Sequence, residues 1–185
     1  MKPFVISINA VSGGGKTALA KLLAASLPKA VLFCFDDYDE TNVYPADHHE
    51  WAQRGANLLE FDFPDMALAV ENEIKDGAAK FVILDYPFGR DHPKFGKQID
   101  LAVFIDTPLD VAMARRFLRE TESGFPETAE EKLANLRSGM SHYVEKARHA
   151  YLATYRHKNS SDLILDGWTP LERLRDQILD KLNTG

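Results

Sequence analysis

A short stretch at residues 10–17 combines glycines with a lysine and a threonine in a spacing that suits phosphate binding. It reads Ala-Val-Ser-Gly-Gly-Gly-Lys-Thr and separates an apolar run at 4–8 from a predicted helix at 18–27. The consecutive glycines can adopt backbone angles that are closed to residues with a Cβ, so their amides can turn inward around an anion. The positive end of the following helix points at the same place. The arrangement predicts a phosphate-binding loop, in which Ala10 replaces the motif's first glycine.

Two side chains of this loop carry predicted chemistry. Lys16 is expected to reach the β- and γ-phosphates of a nucleotide. The hydroxyl of Thr17 is expected to ligate Mg²⁺, a hard cation that prefers oxygen ligands.

Acidic side chains follow three of the later apolar runs. Asp36 and Asp37 come after the second run, Asp85 ends the third and Asp106 ends the fourth. The carboxyl ends of parallel strands meet at the edge where ligands bind, so these carboxylates are expected beside the glycine-rich loop. Asp36 could accept a proton from a substrate hydroxyl, bind Mg²⁺, or both, and Asp37 is the alternative. Asp85 is predicted to be a second acid near the metal.

Arginines supply the positive charge that a transferred phosphate would need. One predicted helix carries Arg115, Arg116 and Arg119. Arg115 and Arg119 share a face of that helix, and Arg116 is rotated from Arg115 by roughly 100°. One or two of them are expected to close over the phosphate, and the alternative for each is a solvated surface position. Arg90, in the loop after the third strand, is expected to meet a polar or anionic substrate.

Strands and helices alternate along the chain that must position these residues. The apolar strands are predicted at 4–8, 30–35, 80–85, 101–106 and 162–166. The helices are predicted at 18–27, 47–55, 64–76, from 108, at 128–157 and from 170. Continuous apolar runs are typical of strands that helices cover on both faces. The alternation therefore predicts an α/β fold with a parallel sheet.

Several local features are expected within these elements. Thr107 is predicted to cap a helix with proline at its first position, and residues 169–172 predict a capping box before the last helix. Residues 124–126 are expected to end the preceding helix, and a new helix is expected at 128–157. Gly139 is expected to kink this helix. The apolar residues of that helix are predicted to lie in the core. They are Leu133, Leu136, Met140, Tyr143, Val144, Ala147 and Tyr151.

Length and composition restrict the class of protein. A chain of 185 residues predicts a single domain over 1–185, and a net charge of −6 argues against a general nucleic-acid binder. No apolar stretch nears the roughly 20 residues of a membrane span, and the N-terminus lacks a signal-peptide pattern. A cytoplasmic protein is therefore expected. Cys34 is predicted to be a buried core residue, and the adjacent His48 and His49 are not expected to bind a metal.

Four segments carry a resemblance to a known family. They are the loop with its helix (Val-Ser-Gly-Gly-Gly-Lys-Thr-Ala-Leu-Ala-Lys-Leu-Leu), Phe-Asp-Asp-Tyr at 35–38, the arginine-bearing stretch at 104–119, and Asp-Leu-Ile-Leu-Asp-Gly at 162–167. On these segments the sequence resembles the uridine kinase and phosphoribulokinase group of P-loop kinases, especially the nicotinamide riboside kinases.

The resemblance implies an α/β P-loop NTPase fold. It implies a five-stranded parallel sheet with helices on both faces, and a helical, arginine-bearing lid at roughly 108–126. It further implies ATP and Mg²⁺ as cosubstrates, and transfer of the γ-phosphoryl group to a hydroxyl of a small metabolite such as a nucleoside or riboside. Three features depart from the group. Asp85 stands where glutamate is usual, only residues 77–80 link the third helix to the third strand, and the lid continues as Glu-Thr-Glu at 120–122 without a further basic cluster.

Site residues follow from the resemblance by position. Asp36 would be the base and metal-associated acid, Lys16 the phosphate clamp, and Arg116 or Arg119 the lid arginine. The expected ATP-binding residues are Ser12, Gly13, Gly14, Gly15, Lys16, Thr17, Ala18 and Arg115. The expected substrate-binding residues are Asp37, Tyr38 and Arg90, and the expected metal ligands are Thr17, Asp36 and Asp85.

The sequence is also compatible with a second function. A nucleotide-binding regulatory ATPase would use the same loop and pass phosphate only to water. No guanine-selecting Asn-Lys-x-Asp motif occurs, which disfavours GTP. The expected partner is a small-molecule acceptor, with no nucleic acid and no membrane, for a chain that is a monomer or a homodimer.

Overall fold

The computed structural model of the chain describes residues 2–122 and 128–184. The described residues form a single parallel sheet of five strands in the order β2-β3-β1-β4-β5. The strands are β1 (Phe4–Asn9), β2 (Ala30–Cys34), β3 (Phe81–Asp85), β4 (Leu101–Asp106) and β5 (Leu163–Asp166). The predicted α/β fold and its five-stranded parallel sheet are therefore confirmed.

Helices connect the strands and cover the sheet. In the described residues they are α1 (Lys16–Ser26), α2 (His48–Gln53), α3 (Pro64–Asp76), α4 (Pro93–Gly96), α5 (Leu109–Glu122), α6 (Ala129–His142), α7 (Arg148–Tyr155) and α8 (Leu171–Asn183). The predicted bounds of α3 and β4 are those observed. None of the described helices combines the length and the apolar composition that a membrane span requires.

The core lies on both faces of the sheet, because successive side chains of a strand point to opposite faces. On one face, Ile6 and Ile8 of β1 pack with apolar residues of α1 and α8. On the other face, Val5 of β1 packs with residues of α3 and with a group of aromatic rings that includes Phe63 and Tyr86. A third cluster joins α5 to the segment around α7 through Phe117 and Tyr151.

The helix predicted at 128–157 is divided in two. A π-helical turn, Tyr143–Ala147, separates α6 from α7. Gly139 lies inside α6 and not at this interruption. A Cβ on Gly139 would lie 2.8 Å from a ring carbon of Phe117, so the glycine lets α6 approach α5 closely. The predicted break at 124–126 lies outside the described residues.

The apolar stripe of this segment is only partly in the core. Tyr143 and Tyr151 are buried, but Leu133, Met140 and Val144 are exposed. No residue of α6 is buried, and this helix contacts α5. Helical periodicity therefore correctly indicated an apolar face but wrongly placed all of it in the core.

Two predicted helix starts are wrong, and one capping box was missed. Helix α5 begins at Leu109, one residue later than expected, and the Thr107 hydroxyl donates a hydrogen bond to the Gly14 carbonyl oxygen at 2.9 Å. Helix α8 begins after Pro170, with no side-chain cap, so residues 169–172 form no capping box. A capping box is instead present at the start of α6, where Thr128 and Glu131 cap each other's backbone amides.

Asp106, at the end of β4, attaches the segment after α7 to the sheet. The Tyr155 hydroxyl is 2.8 Å from one carboxylate oxygen, and the Lys158 ammonium contacts the other. Partial burial raises the pKa of Asp106, but the bonds from Lys158 and Tyr155 outweigh it and leave the pKa below its ordinary value of 3.8. Asp106 is therefore a structural carboxylate in the folded protein.

We expect Asp106→Asn to lower the free energy of unfolding at pH 7 but to have less effect in acid. The folded-state pKa lies below 3.8, so the charge stabilises the fold above that pH, and the stabilisation is lost as the pH falls through the folded pKa. Urea unfolding between pH 7 and about pH 3 measures the difference. Asp65→Asn, at an exposed position of α3, is the control. An effect of Asp106→Asn that stays constant across this range contradicts the assignment.

Candidate active site

The glycine-rich loop joins β1 to α1 at the carboxyl edge of the sheet. Gly13 and Gly15 have positive φ angles of 80° and 98°. A Cβ on Gly13 would lie 2.1 Å from the Ala112 carbonyl oxygen, so the loop can pack on α5 only with glycine there. A Cβ on Gly15 would have nothing within 4 Å, because that side of the loop faces open space.

Two hydrogen bonds of the Gly14 backbone fix the shape of the glycine-rich loop. The Gly14 amide donates to the Val11 carbonyl oxygen at 2.9 Å, and the Gly14 carbonyl accepts the bond from Thr107. Ala10, which replaces the motif's first glycine, is buried. A Cβ on Gly14 would lie 2.7 Å from the Ala10 methyl group, so the alanine is accommodated because residue 14 lacks a side chain.

The start of α1 is open to a ligand. Its N-cap is Gly15, no side chain caps it, and its first turn contains no acidic residue. In contrast, the side chains of Asp47 and Thr128 cap α2 and α6. The amides of a first helical turn have no partner within the helix, and they carry the positive end of the helix dipole. The loop therefore fits an anion such as a phosphate group.

Lys16 and Asp85 face each other beside the loop. Lys16 Nζ lies 3.2 Å from Asp85 Oδ1, and their side chains are 15% and 4% exposed. Asp85 ends β3, which pairs directly with β1, so the sheet places it next to the loop. The contact is an ion pair without hydrogen-bond geometry, and within the described residues Oδ1 has no hydrogen-bond donor. Asp85 is thus a buried carboxylate that depends on a neighbouring cation.

A cleft of about 380 Å³ opens over the loop, within the size range of small-molecule sites. Residues 10–18 line it, together with Asp36, which lies in the 3₁₀ turn that follows β2, Phe35–Tyr38. The structure thus brings all of the predicted loop residues and Asp36 to one cavity. The other lining residues include six with aromatic rings: Phe35, Tyr44, His48, Trp51, Phe61 and Phe88.

The aromatic residues form one connected cluster. Phe61 contacts the rings of Trp51 and Phe88, with centroids 5.2 and 4.7 Å apart, and the rings of Tyr44 and His48 at 6.1 and 5.8 Å. Burial lowers the pKa of His48, which favours a neutral imidazole. Phe35, Trp51, Phe61 and Phe88 are buried, so the cluster forms an apolar wall of the cleft that is continuous with the core.

Two of the three predicted arginines line the cleft. Arg115 and Arg119 do so, as their shared helix face indicated, and Arg115 donates to the Gly167 carbonyl oxygen at 3.2 Å. Arg116 does not line it. Its guanidinium donates to the Tyr151 hydroxyl at 2.8 Å and to the Glu120 carboxylate at 2.7 Å. Within α5, the structure therefore favours Arg119 over Arg116 for contact with a phosphate.

The three residues expected at the substrate do not line the cleft. Asp37 and Tyr38 belong to the same turn as Asp36 but lie outside its walls. Arg90 donates to the Asp100 carbonyl oxygen at 2.9 Å and to the Asp162 carboxylate, which in turn accepts a bond from the amide of Ala102. These bonds connect the loop after β3 to the start of β4 and to Asp162, and they differ from the contact with a substrate that was predicted for Arg90.

The donor set fits Mg²⁺ when phosphate oxygens complete it. Among the described residues, no three His, Cys, Asp or Glu side chains group closely enough to hold a metal ion. Thr17 and Asp36 line the cleft, whereas Asp85 does not line it but contacts Lys16, which does. Together the three would contribute one hydroxyl and two carboxylates. Mg²⁺ commonly takes one or two carboxylates and fills its other positions with phosphate and water. The remaining strand-end acid, Asp106, is occupied by Tyr155 and Lys158, as described above.

Helix α7 forms a wall of the cleft that sequence reasoning missed. Ala150, Tyr151 and Thr154 line the cavity, and α7 packs against α2, which contributes His48 and Trp51. Periodicity indicated burial for Tyr151, but no sequence signal pairs two helices that lie about a hundred residues apart. Cys34 is buried as predicted, and burial, with a smaller effect of nearby acids, raises its pKa to about 11.

Some known proteins are similar to this chain in sequence or in structure. No protein-family model matches it. A uridine kinase of Schizosaccharomyces pombe is 28% identical, over 62% of this chain and 31% of that protein, so the chain spans about a third of this relative. The shikimate kinase of Aquifex aeolicus is 17% identical, with a TM-score of 0.54 over 97% of this chain and 96% of that one. The shikimate kinase of Bacteroides thetaiotaomicron is 18% identical, with a TM-score of 0.51 over 97% and 98%.

The two solved structures match nearly the whole chain at low sequence identity, which is evidence about the fold. The sheet order, the glycine loop before α1 and the strand-end acids supply the same evidence from within the chain. The chain therefore has the α/β fold of the P-loop kinases.

Proposed function

We propose that the protein is an ATP-dependent small-molecule kinase. It transfers the γ-phosphoryl group of Mg-ATP to a hydroxyl of a small metabolite such as a nucleoside or riboside. The observation that carries the proposal is the uncapped start of α1, which shares one cleft with Asp36, Arg115 and Arg119. Phosphoryl transfer needs held phosphates, neutralised charge and a positioned hydroxyl, and this cleft has groups suited to each need.

The phosphates would lie on the loop. In this proposal the amides of residues 12–18 and the ammonium of Lys16 hold them, and Arg115 binds the nucleotide from α5. Arg119 neutralises charge that develops on the transferred group. Thr17, Asp36 and Asp85 would hold Mg²⁺, which supplies further positive charge to the phosphate oxygens when it is bound.

Asp36 is proposed as the group that takes the proton from the acceptor hydroxyl. It is exposed within the cleft, so its carboxylate is accessible to a substrate. A general base must lie within hydrogen-bond reach of the proton that it abstracts. Asp37 is also exposed but does not line the cleft, which favours Asp36 of the two candidates.

The aromatic cluster would hold the acceptor. Its rings line the same cavity as the loop and suit the flat face of a nucleobase or similar ring. The similarity to a uridine kinase supports a nucleoside, and the motifs at 10–17 and 35–38 extend the proposed class to nicotinamide riboside. The proposed enzyme is cytoplasmic, a monomer or a homodimer, with no nucleic-acid or membrane partner.

An acceptor screen tests the activity. Purified protein is incubated with Mg-ATP and single hydroxyl compounds, and the production of ADP is compared with the rate without acceptor. Nucleosides, ribosides, shikimate and simple sugars form the panel. We expect at least one nucleoside or riboside to raise the rate. Hydrolysis that no acceptor stimulates contradicts the proposal and favours a regulatory ATPase.

We expect Asp36→Ala to lower the rate of phosphoryl transfer by about 10² to 10⁴, the range that general-base catalysis supplies. The binding of metal-free nucleotide should stay largely intact, because the loop and Lys16 are unchanged. Steady-state kinetics and nucleotide titration measure the two effects. Asp37→Ala is the matched control, since it removes the neighbouring exposed carboxylate. Full activity of Asp36→Ala, or an equal loss in Asp37→Ala, refutes the assignment.

Arg119→Ala should reduce kcat on the order of 10²-fold, because it removes a charged donor that faces the transferred phosphate. Arg116→Ala should reduce kcat less than tenfold, because Arg116 does not line the cleft and its guanidinium is bonded to Tyr151 and Glu120. The two variants carry the same substitution on one helix, and their kinetics can be compared directly. A larger loss in Arg116→Ala would show that the wrong arginine was chosen.

A further inference from the structure

The ion pair between Lys16 and Asp85 has a consequence for nucleotide binding. Asp85 is only 3% exposed, and its Oδ1 has no hydrogen-bond donor within the described residues. Lys16 Nζ, at 3.2 Å, is the cation next to it. The same ammonium is the group that would bind the phosphates of a nucleotide. Lys16 therefore has two anionic partners, and one of them is a buried carboxylate.

Moving Lys16 towards a phosphate would leave Asp85 without its cation. An uncompensated buried charge is strongly destabilising, because it is removed from water and has no counter-ion. The other strand-end acids do not create this cost. Asp36 is exposed to solvent, and Asp106 already has Lys158 as its partner. The cost is thus specific to Asp85, and a second cation placed beside its carboxylate would remove it.

We propose that Asp85 couples nucleotide binding to a divalent cation: Lys16 leaves Asp85 for the phosphates only when the cation replaces it there. The proposal rests on the proposed function in one respect, that nucleotide phosphates bind to the loop. It assigns Asp85 a role in the ligand-free protein, as the anion that competes with phosphate for Lys16. Metal-free nucleotide must then bind weakly, because it takes the lysine and supplies no replacement.

Removing the charge of Asp85 should remove the coupling. In Asp85→Asn, Lys16 has no carboxylate to leave, so metal-free phosphates meet a lysine that is already available. Their affinity should rise, while the gain from Mg²⁺ should shrink, since the cation loses one of its two carboxylates. The effect arises at the phosphates, so inorganic tripolyphosphate should show it as ATP does. Because coupling free energies are reciprocal, nucleotide should raise the affinity for Mg²⁺ less in this variant.

Isothermal titration of the full chain with ATP and with tripolyphosphate, in EDTA and in Mg²⁺, tests the coupling. In the wild type we expect binding at least tenfold tighter with Mg²⁺. In Asp85→Asn the ratio should fall to threefold or less, with metal-free affinity at least threefold above that of the wild type. Asp65→Asn removes an exposed carboxylate with the same change in net charge and should behave as the wild type. Asp85→Glu keeps the charge and should keep the dependence on Mg²⁺.

Each result distinguishes this coupling from the proposed function. Wild-type binding with no gain of metal-free affinity in Asp85→Asn overturns the coupling and leaves the kinase proposal standing. Mg²⁺ dependence that is lost in Asp36→Asn but kept in Asp85→Asn also overturns it. A wild type that binds neither ATP nor tripolyphosphate contradicts both.

A second variant covers the case in which Asp85→Asn does not fold. Lys16→Met leaves the buried carboxylate without its cation, so Mg²⁺ alone, without nucleotide, should raise the melting temperature of this variant more than that of the wild type. Thermal denaturation with and without Mg²⁺ measures the difference. Equal shifts in the two proteins would show that no cation replaces Lys16 at Asp85, and would overturn the coupling.

Discussion

The ion pair of Lys16 and Asp85 is the interaction on which the site depends. A buried carboxylate must have a cation within reach, and the pairing of β3 with β1 places the two groups 3.2 Å apart. The pair orients the lysine along the sheet edge, beside the uncapped start of α1. The ammonium of Lys16 is thus held next to the place where a phosphate would bind, in a chain whose net charge is −6. Local electrostatics, not the overall field, determines what the cleft can bind.

Steric contacts around the loop hold this arrangement in place. The absence of a Cβ at Gly13 lets α5 pack directly on the loop through Ala112. A Cβ on Gly167 would lie 2.0 Å from the Thr107 hydroxyl, which itself bonds the loop carbonyl of Gly14. The loops after β1, β4 and β5 therefore form one packed unit. The base of the arginine-bearing helix belongs to that unit, so Arg115 and Arg119 start from a fixed position relative to the loop.

The sequence predicted those parts of the fold that depend on local patterns. Apolar runs located all five strands, and the run-ending acids and glycine loop met at one edge because parallel strands share their carboxyl ends. Predictions that required long-range packing were less successful. Arg90 was expected at the substrate, but Asp162, which bonds it, lies 72 residues away. The capping box expected at 169–172 is absent, since α8 begins one residue later than its proline suggested.

The two parts of the cleft also differ in whether local sequence or long-range packing forms them. The loop, Lys16 and the start of α1 are consecutive in sequence, so a short motif is enough to specify the phosphate end. The aromatic cluster comes from four separate segments, and α7 closes it against α2 only through tertiary packing. Solved structures with this fold at 17–18% identity share the sheet and helices, but side chains on such segments can differ freely. In the proposed function, the identity of the acceptor would therefore depend on Tyr44, His48, Trp51 and Phe61, whose arrangement neither a motif nor the fold determines.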